Sequence, residues 1–462
     1  MDSSIGGKVI NSGGFGCIFL PEIICKNKNN KNKNKHNKTK KISKMMLNRH
    51  ASDEYNQIMK IKQIVKKIPN YGDYFVIKNI DICKIKKLTN EDLEKYQEKC
   101  SALQKYNITK KNIRKSFDKI SIVNIPYAGI ALDKFIESKF TISRVMHLNK
   151  LLIELLNKAV IPMNNYGVFH SDIKASNILI NESHKKVRFI DWGLTVTHPQ
   201  KFFTEIPSKW KNRPFQFNVP FEVILFTDDF VSKMNDFIEK YDNKSNNGHK
   251  SNNGHKSNSG HKMFKFVNDY IYYWLNERGK GHLGYIHSIL SMLDIIKENG
   301  DNNESDSETK SYTKTKEKYV AQFGKYKETI DFITNYIVFI LAKFTEFNNN
   351  GSFEMLNYIN KIYKNYVDVW GLLITYIPII EILHENKSRL EDSHKLLFYT
   401  LQKILIKHLY TPKVETINLK TVSKDLKNMN TTLKKFSKNE YNPTAIDSHI
   451  NSSITETPIT II

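Results

Sequence analysis

The spacing of apolar residues changes character along this chain. Val9 to Phe19 alternates and turns through Gly13, Gly14 and Gly16, which predicts a strand, a tight turn and a returning strand. Residues 41–47 resume as a short strand in which Lys44 shares a face with Ile42 and Met46. Ser52 has the form of an N-cap, followed by Asp53 and Glu54 in a first turn and by Ile58, Ile61, Ile64, Val65 and Ile68 on one face. Residues 74–84 read as paired strands, 86–115 as a charged and mostly helical insertion, and 120–125 as a buried strand stopped by Pro126 and Gly129.

Later the period is mostly helical. A helix over 148–160 leads into an apolar run from Val168 that is interrupted by a polar loop and resumes at Ile178 to Ile180, and a further strand-like run over 187–190 ends at Asp191. Residues 194–219 are loop-like. Helices are predicted over 230–240, 264–276, 286–297, 328–347, 355–363, from Asp368, and over 393–408. A threefold repeat over 244–261 is too short and polar for a solenoid and reads as a disordered loop, as does the acidic stretch 298–308. The expected class is α+β: a β-rich unit over 1–125 carrying inserts at 26–41 and 86–115, a helical unit over 126–436 with an insertion at about 240–360, and a flexible tail over 437–462.

The formal net charge of +24 over 462 residues suggests a polyanionic partner until its distribution is considered. Eight lysines lie within 26–41 and four within 244–262, so half of the excess sits in low-complexity inserts, and nucleic-acid binding through them is possible but not favoured. Cys17, Cys25, Cys83 and Cys100 form neither a CxxC pair nor an even spacing, which argues against a zinc site and a disulfide framework and for a reducing compartment. The first residues lack a signal-sequence pattern, and the longest apolar run, 369–380, is short for a membrane span of roughly 18 to 20 residues. An intracellular location with no membrane span is expected.

The polar loop changes the picture most. Asp172, Lys174 and Asn177 lie on it between apolar runs, and Asp191 follows the next one. One carboxylate can orient a hydroxyl, and an amide with a second carboxylate can hold a magnesium ion against a triphosphate. Glycines at 13, 14 and 16 let backbone amides approach phosphate oxygens, although a plain hairpin has the same pattern. The chain does not run from this turn into a helix, which disfavours a Rossmann turn or a Walker loop. An inward Lys44 needs an anionic partner, and Glu54 is the natural one unless it serves only its helix N-terminus. The strand end at Asn124, Pro126 and Tyr127 presents backbone groups that could hold an adenine edge.

In this order along the chain, these residues resemble the protein kinase family. Asn11-Ser-Gly-Gly-Phe-Gly16 is similar to the glycine-rich loop, with Asn11 at its first glycine; Lys44 and Glu54 to the strand lysine and its helix partner; His170-Ser-Asp172 with Lys174 and Asn177 to the catalytic loop; and Asp191-Trp-Gly193 to the magnesium-binding Asp-Phe-Gly. Asp368-Val-Trp-Gly371 resembles the start of the buried helix whose aspartate ties down the catalytic-loop backbone. More narrowly, Gly13 to Cys17, Arg213-Pro-Phe-Gln-Phe-Asn218 and Ile224-Leu-Phe226 are similar to the serine/threonine kinases of large cytoplasmic DNA viruses, of the mimivirus-like and poxvirus-like group.

The resemblance implies a bilobal kinase-like fold, ATP and Mg2+ as cofactors, protein substrates, and a place in host cytoplasm or virion. Asp172 and Lys174 would be catalytic. Asn177 and Asp191 would hold the metal, and Asn11, Ser12, Gly13, Gly14, Phe15, Gly16, Ile18, Lys44, Glu54, Asn124, Pro126 and Tyr127 would surround the nucleotide. Ser171 stands where many kinases carry an arginine that grips an activation-loop phosphate, so activity without loop phosphorylation is expected. Trp192 replaces a phenylalanine and is expected to pack under the helix carrying Glu54; Pro220-Phe-Glu222 only loosely matches Ala-Pro-Glu, so the ion pair of that motif is expected to be missing. Two other readings stand beside this one: a small-molecule kinase of the aminoglycoside or choline type, and a pseudokinase scaffold.

Overall fold

A computed structural model describes residues 7–26, 40–181, 183–200, 202–245, 255–297, 322–345 and 352–437. Most of the Lys/Asn-rich insert, the centre of the threefold repeat, the acidic stretch and the expected tail lie outside the described residues. The chain is α+β and forms two compact units, Met1–Leu132 with Asn177–Leu194 and Asp133–Ser176 with Thr195–Ile462.

The first unit is built on an antiparallel sheet of β1 (Lys8–Ser12), β2 (Gly16–Leu20), β3 (Lys41–Leu47), β4 (Asp81–Cys83) and β5 (Ile120–Pro126), in the order β1-β2-β3-β5-β4. Lys44 lies in register with Ile18 on one side and Val123 on the other. Helix Asn48–Val65 buries Ala51, Ile58, Ile61 and Val65. It starts before Ser52, because β3 runs straight into it and the junction is pinned by Asn48, whose backbone N–H donates to the Lys119 carbonyl at 2.9 Å and whose amide donates to that of Asp118 at 2.6 Å.

The insertion at 86–115 is not mostly helical. Leu93, Tyr96, Cys100, Leu103, Ile108 and Ile113 are buried in one cluster with Val9, Cys17, Phe19, Met45 and Ile122 of the sheet. It forms only short turns, Tyr96–Lys99, Ser101–Gln104 and Ile113–Ser116, since the segment folds back so that the Tyr96 hydroxyl donates to the Ile108 carbonyl at 2.8 Å. Two disulfides, Cys17–Cys100 and Cys25–Cys83, correct the expectation from cysteine spacing. Their partners are 83 and 58 residues apart and meet only in the folded unit, Cys100 where the insertion packs on the sheet and Cys83 on β4, so the spacing carries no trace of them. Nor are 74–84 paired strands throughout. Phe75 instead makes an isolated bridge to Phe189, with the Val76 N–H donating to the Phe189 carbonyl at 3.1 Å and the Phe189 N–H to the Tyr74 carbonyl at 2.8 Å. A small antiparallel sheet of β6 (Ile130–Ala131), β8 (Ile178–Ile180) and β9 (Val187–Phe189) completes this unit.

The second unit is helical apart from the short pair β7 (Val168–Phe169) and β10 (Val196–Thr197). Its core gathers around Trp370, whose ring lies 5.3 Å from Phe221, 5.6 Å from Tyr366 and 5.7 Å from Tyr410. Described helices of the 240–360 insertion belong to the same packing: Asn268 on helix His255–Arg278 donates to the Thr334 hydroxyl at 3.2 Å, and Tyr270 donates to the Ile224 carbonyl at 3.1 Å. Helices Ile377–Glu385 and Leu419–Ser437 have no counterpart in the predicted elements. Among the described residues one helical run, Met355–Glu385, is long and apolar enough to cross a membrane, longer than the apolar run read from sequence; 83% of its most apolar window is buried inside the protein, as in a core helix.

Candidate active site

Each unit carries part of the residue set singled out in the sequence. In the first, the turn between β1 and β2 is closed by the Gly13 N–H donating to the Gly16 carbonyl at 2.8 Å, and Asn11 turns back so that its side-chain oxygen accepts from the Ser12 N–H at 2.8 Å. Phe15 projects from the tip, 58% exposed, with its ring 4.9 Å from that of His50. A side chain at Gly16 would come within 2.3 Å of Met46 and 2.8 Å of the Met45 carbonyl, so glycine lets β2 lie against β3 here.

Lys44 and Glu54 meet at 2.6 Å, each with less than a fifth of its side chain exposed. Strand alternation places Met45 in the core beneath the insertion and turns Lys44 to the other face, toward the helix that carries Glu54. A pair at this depth leaves the ammonium in a defined place and with hydrogens to offer to a further anion.

The strand end at 124–127 behaves differently from expectation. Asn124 is fully buried; its amide donates to Asp81 at 2.7 Å and its oxygen accepts from the Ser43 hydroxyl at 2.6 Å. Asp81 is also paired with Lys41 at 2.6 Å. Since β5 lies between β3 and β4, the Asn124 side chain is an internal crosslink of the sheet. Pro126 still pairs with Lys41, and the Tyr127 N–H donates to the Lys40 carbonyl at 2.7 Å.

Asn177 and Asp191 lie on adjoining segments of the same unit. The Ile190 N–H donates to the Asn177 carbonyl at 3.0 Å, just before Asp191 turns out to solvent with φ of +61°. Trp192 is buried with its ring 5.7 Å from Phe75. An amide oxygen just before β8 and an exposed carboxylate just after β9 are hard oxygen donors of the kind Mg2+ takes.

In the second unit the loop 170–176 is held by a single buried carboxylate. Asp368 accepts from the His170 N–H at 2.9 Å, the Ser171 N–H at 2.8 Å and the Asn164 amide at 2.7 Å. Burial pushes this carboxyl up from its ordinary value, while His170 and the three N–H donors pull it back toward the charged form. Three residues on, Gly371 brings the same helix, Lys364–Ile374, against the loop: a side chain there would lie 2.7 Å from the Ile173 carbonyl. Asp172 accepts from the Asn218 amide at 2.8 Å and from Lys174 at 3.2 and 3.3 Å. A carboxylate so placed is aimed by the Asn218 amide and paired with the Lys174 ammonium.

Three residues around this loop had no role assigned from the sequence, although Arg213 lies in the Arg213–Asn218 stretch that carries part of the resemblance. Trp210 donates from Nε1 to the Ser171 hydroxyl at 2.8 Å, and Arg213 from Nη1 to the Ser171 carbonyl at 2.8 Å. His282, in the insertion, has its ring 5.3 Å from Phe217; partial burial and then the charge of Lys174 hold its imidazole below the ordinary value, so it favours the neutral form. Glu222 is wholly buried, has no ion pair with a basic side chain among the described residues, and accepts from the Tyr358 hydroxyl. No known protein-family model matches the chain.

Proposed function

We propose that the chain is an ATP-dependent protein serine/threonine kinase with the bilobal fold that its resemblance implies, a small lobe over 1–125 and a large lobe over 126–436. The observation that carries this reading is Asp368. A residue 197 positions beyond Ser171 reaches the backbone of the His170–Asp172 loop, a contact that the resemblance requires and that a polar loop of no special role does not need. The Lys44–Glu54 pair at 2.6 Å supports it independently.

Asp172 would orient the substrate hydroxyl and take its proton, with Asn218 fixing its direction. Lys174 would neutralise charge on the phosphoryl group in transfer, and Lys44, held by Glu54, would contact the inner phosphates beneath the glycine turn. Asn177 and Asp191 are the residues that would hold Mg2+, which when bound supplies charge neutralisation to the triphosphate. Little covalent help is asked of the protein, so rate rests on positioning and electrostatics.

The test is transfer of labelled γ-phosphate from Mg·ATP to generic basic and acidic proteins by wild type, Asp172→Asn and Asp191→Ala. Each variant is expected to lose on the order of 10² to 10⁴ in rate while keeping its fold. Transfer by either variant at the wild-type rate, or none by wild type, would sink the proposal. Product on added aminoglycoside or choline and none on protein would favour the small-molecule alternative.

A further inference from the structure

We propose that Trp210 and Arg213 are positioning residues for the Asp172 loop, which they clamp by fixing Ser171. The inference rests on the reading of Asp172 as the group that orients the substrate hydroxyl.

Ser171 has a φ of +60°, a left-handed conformation that a residue with a Cβ adopts at a cost of about 1 to 2 kcal/mol. Left to itself the loop would relax to negative φ and swing the next residue, Asp172. Every polar group of Ser171 is engaged against this. Its N–H donates to Asp368 at 2.8 Å; its carbonyl accepts from Arg213 at 2.8 Å; its hydroxyl accepts from Trp210 at 2.8 Å and donates to the Phe169 carbonyl at 3.2 Å. Asp368 therefore holds one side of the residue only. The carbonyl held by Arg213 belongs to the planar peptide that joins Ser171 to Asp172, so fixing that oxygen fixes the plane from which the Asp172 side chain departs.

Both donors are themselves rigid. Trp210 is fully buried, edge-on to Phe169 at 5.8 Å and to Tyr363 at 5.0 Å. Arg213 is 5% exposed and braced by Nε donating to Gln216 at 2.6 Å. Burial opposes its charge, and the charges of Asp172 and Asp368 favour it. Its Nη2 is buried with no hydrogen-bond partner among the described residues. A guanidinium tolerated on such terms, for one bond to a loop carbonyl, marks the bond as one the site depends on.

The experiment uses the full chain with Trp210→Phe, Arg213→Met, Arg213→Lys and Ser171→Ala. Three readouts are taken: hydrogen exchange at the His170 and Ser171 amides, thermal unfolding, and kcat and KM for Mg·ATP with a generic protein substrate. Losing either donor is expected to speed exchange at these amides about tenfold or more and to lower kcat about 10- to 100-fold, with KM for ATP within about twofold. Arg213→Lys should recover part of both effects. Trp210→Phe with Ser171→Ala should add to Trp210→Phe alone only the loss of the hydroxyl's bond to the Phe169 carbonyl, less than the full effect of Ser171→Ala alone. If Trp210→Phe does not fold, Ser171→Ala removes the Trp210 bond from its other end, together with the bond to Phe169. Unchanged exchange in folded Trp210→Phe and Arg213→Met, or a kcat loss no larger than the fraction unfolded, overturns the proposal. Because exchange needs no turnover, an inactive wild type whose variants show faster exchange would count against the kinase reading and leave the clamp standing.

Discussion

Glu222 shows how one buried group can govern pH behaviour. Desolvation lifts its carboxyl to about 7, against the Tyr358 hydroxyl that favours the charged form. In the unfolded chain the group titrates near 4.5. The folded protein thus keeps a proton that the unfolded chain releases, so this group's contribution to stability is greatest below about pH 4.5, falls as pH rises toward 7, and is flat above it. A shift of this size corresponds to a few kcal/mol, roughly 3, as an upper figure for a buried carboxyl. Glu222→Gln is expected to remove that fall: the difference between wild-type and variant unfolding free energies should change between pH 5 and pH 7 and be constant above. A difference independent of pH would show that Glu222 does not titrate in the folded state. At the same scale, legibility is uneven. Asp172, Lys174 and Asn177 were readable because their chemistry lies within six residues of sequence, whereas Trp210 and Arg213 act on Ser171 across separations of 39 and 42.

At the scale of elements, helix Lys364–Ile374 docks the loop 170–176 by two features one turn apart, the Asp368 carboxylate and the bare Cα of Gly371. Gly371→Ala should therefore push Ile173 outward, destabilise the protein by about 1 to 3 kcal/mol and lower turnover. Gly324→Ala is the matched control, since a side chain there meets nothing within 4 Å, and its unfolding free energy should stay within about 0.5 kcal/mol of wild type. Equal effects from the two would remove the docking argument. The same helix was legible as a buried element from Asp368-Val-Trp-Gly371, but its contact with the loop was legible only through family resemblance. The 86–115 insertion was misread for a physical reason. Leu93, Tyr96, Cys100 and Leu103 keep helical spacing, which reads as a helix, but nothing local says that the far face of the sheet lacks a cover and that the segment folds back onto it.

For the whole molecule, the disulfides are confined to the first unit, and one loop lies inside the other. Cys17–Cys100 encloses Cys25–Cys83, so their effects on the unfolded chain are not additive; either alone is worth about 4 kcal/mol in a chain-entropy account. Reduction in mild denaturant is expected to expose four thiols, lower the unfolding midpoint of the first unit and leave that of the second in place. Thiol titration alongside exchange or proteolysis mapped by residue would decide it. Four free thiols in the purified protein without reductant would contradict the pairing.

The division into units has a further consequence, for synthesis. The chain crosses from one unit to the other after Leu132, returns at Asn177 and leaves again after Leu194. Strand β6, made early, finds its partner only when Ile178–Ile180 has emerged, and Phe75 waits for Phe189. A ribosome that has released the first 132 residues has therefore released an unfinished sheet. No single cut liberates either unit whole, and the segment that carries Asn177 and Asp191 reaches its place only after much of the helical unit's first stretch has already been translated.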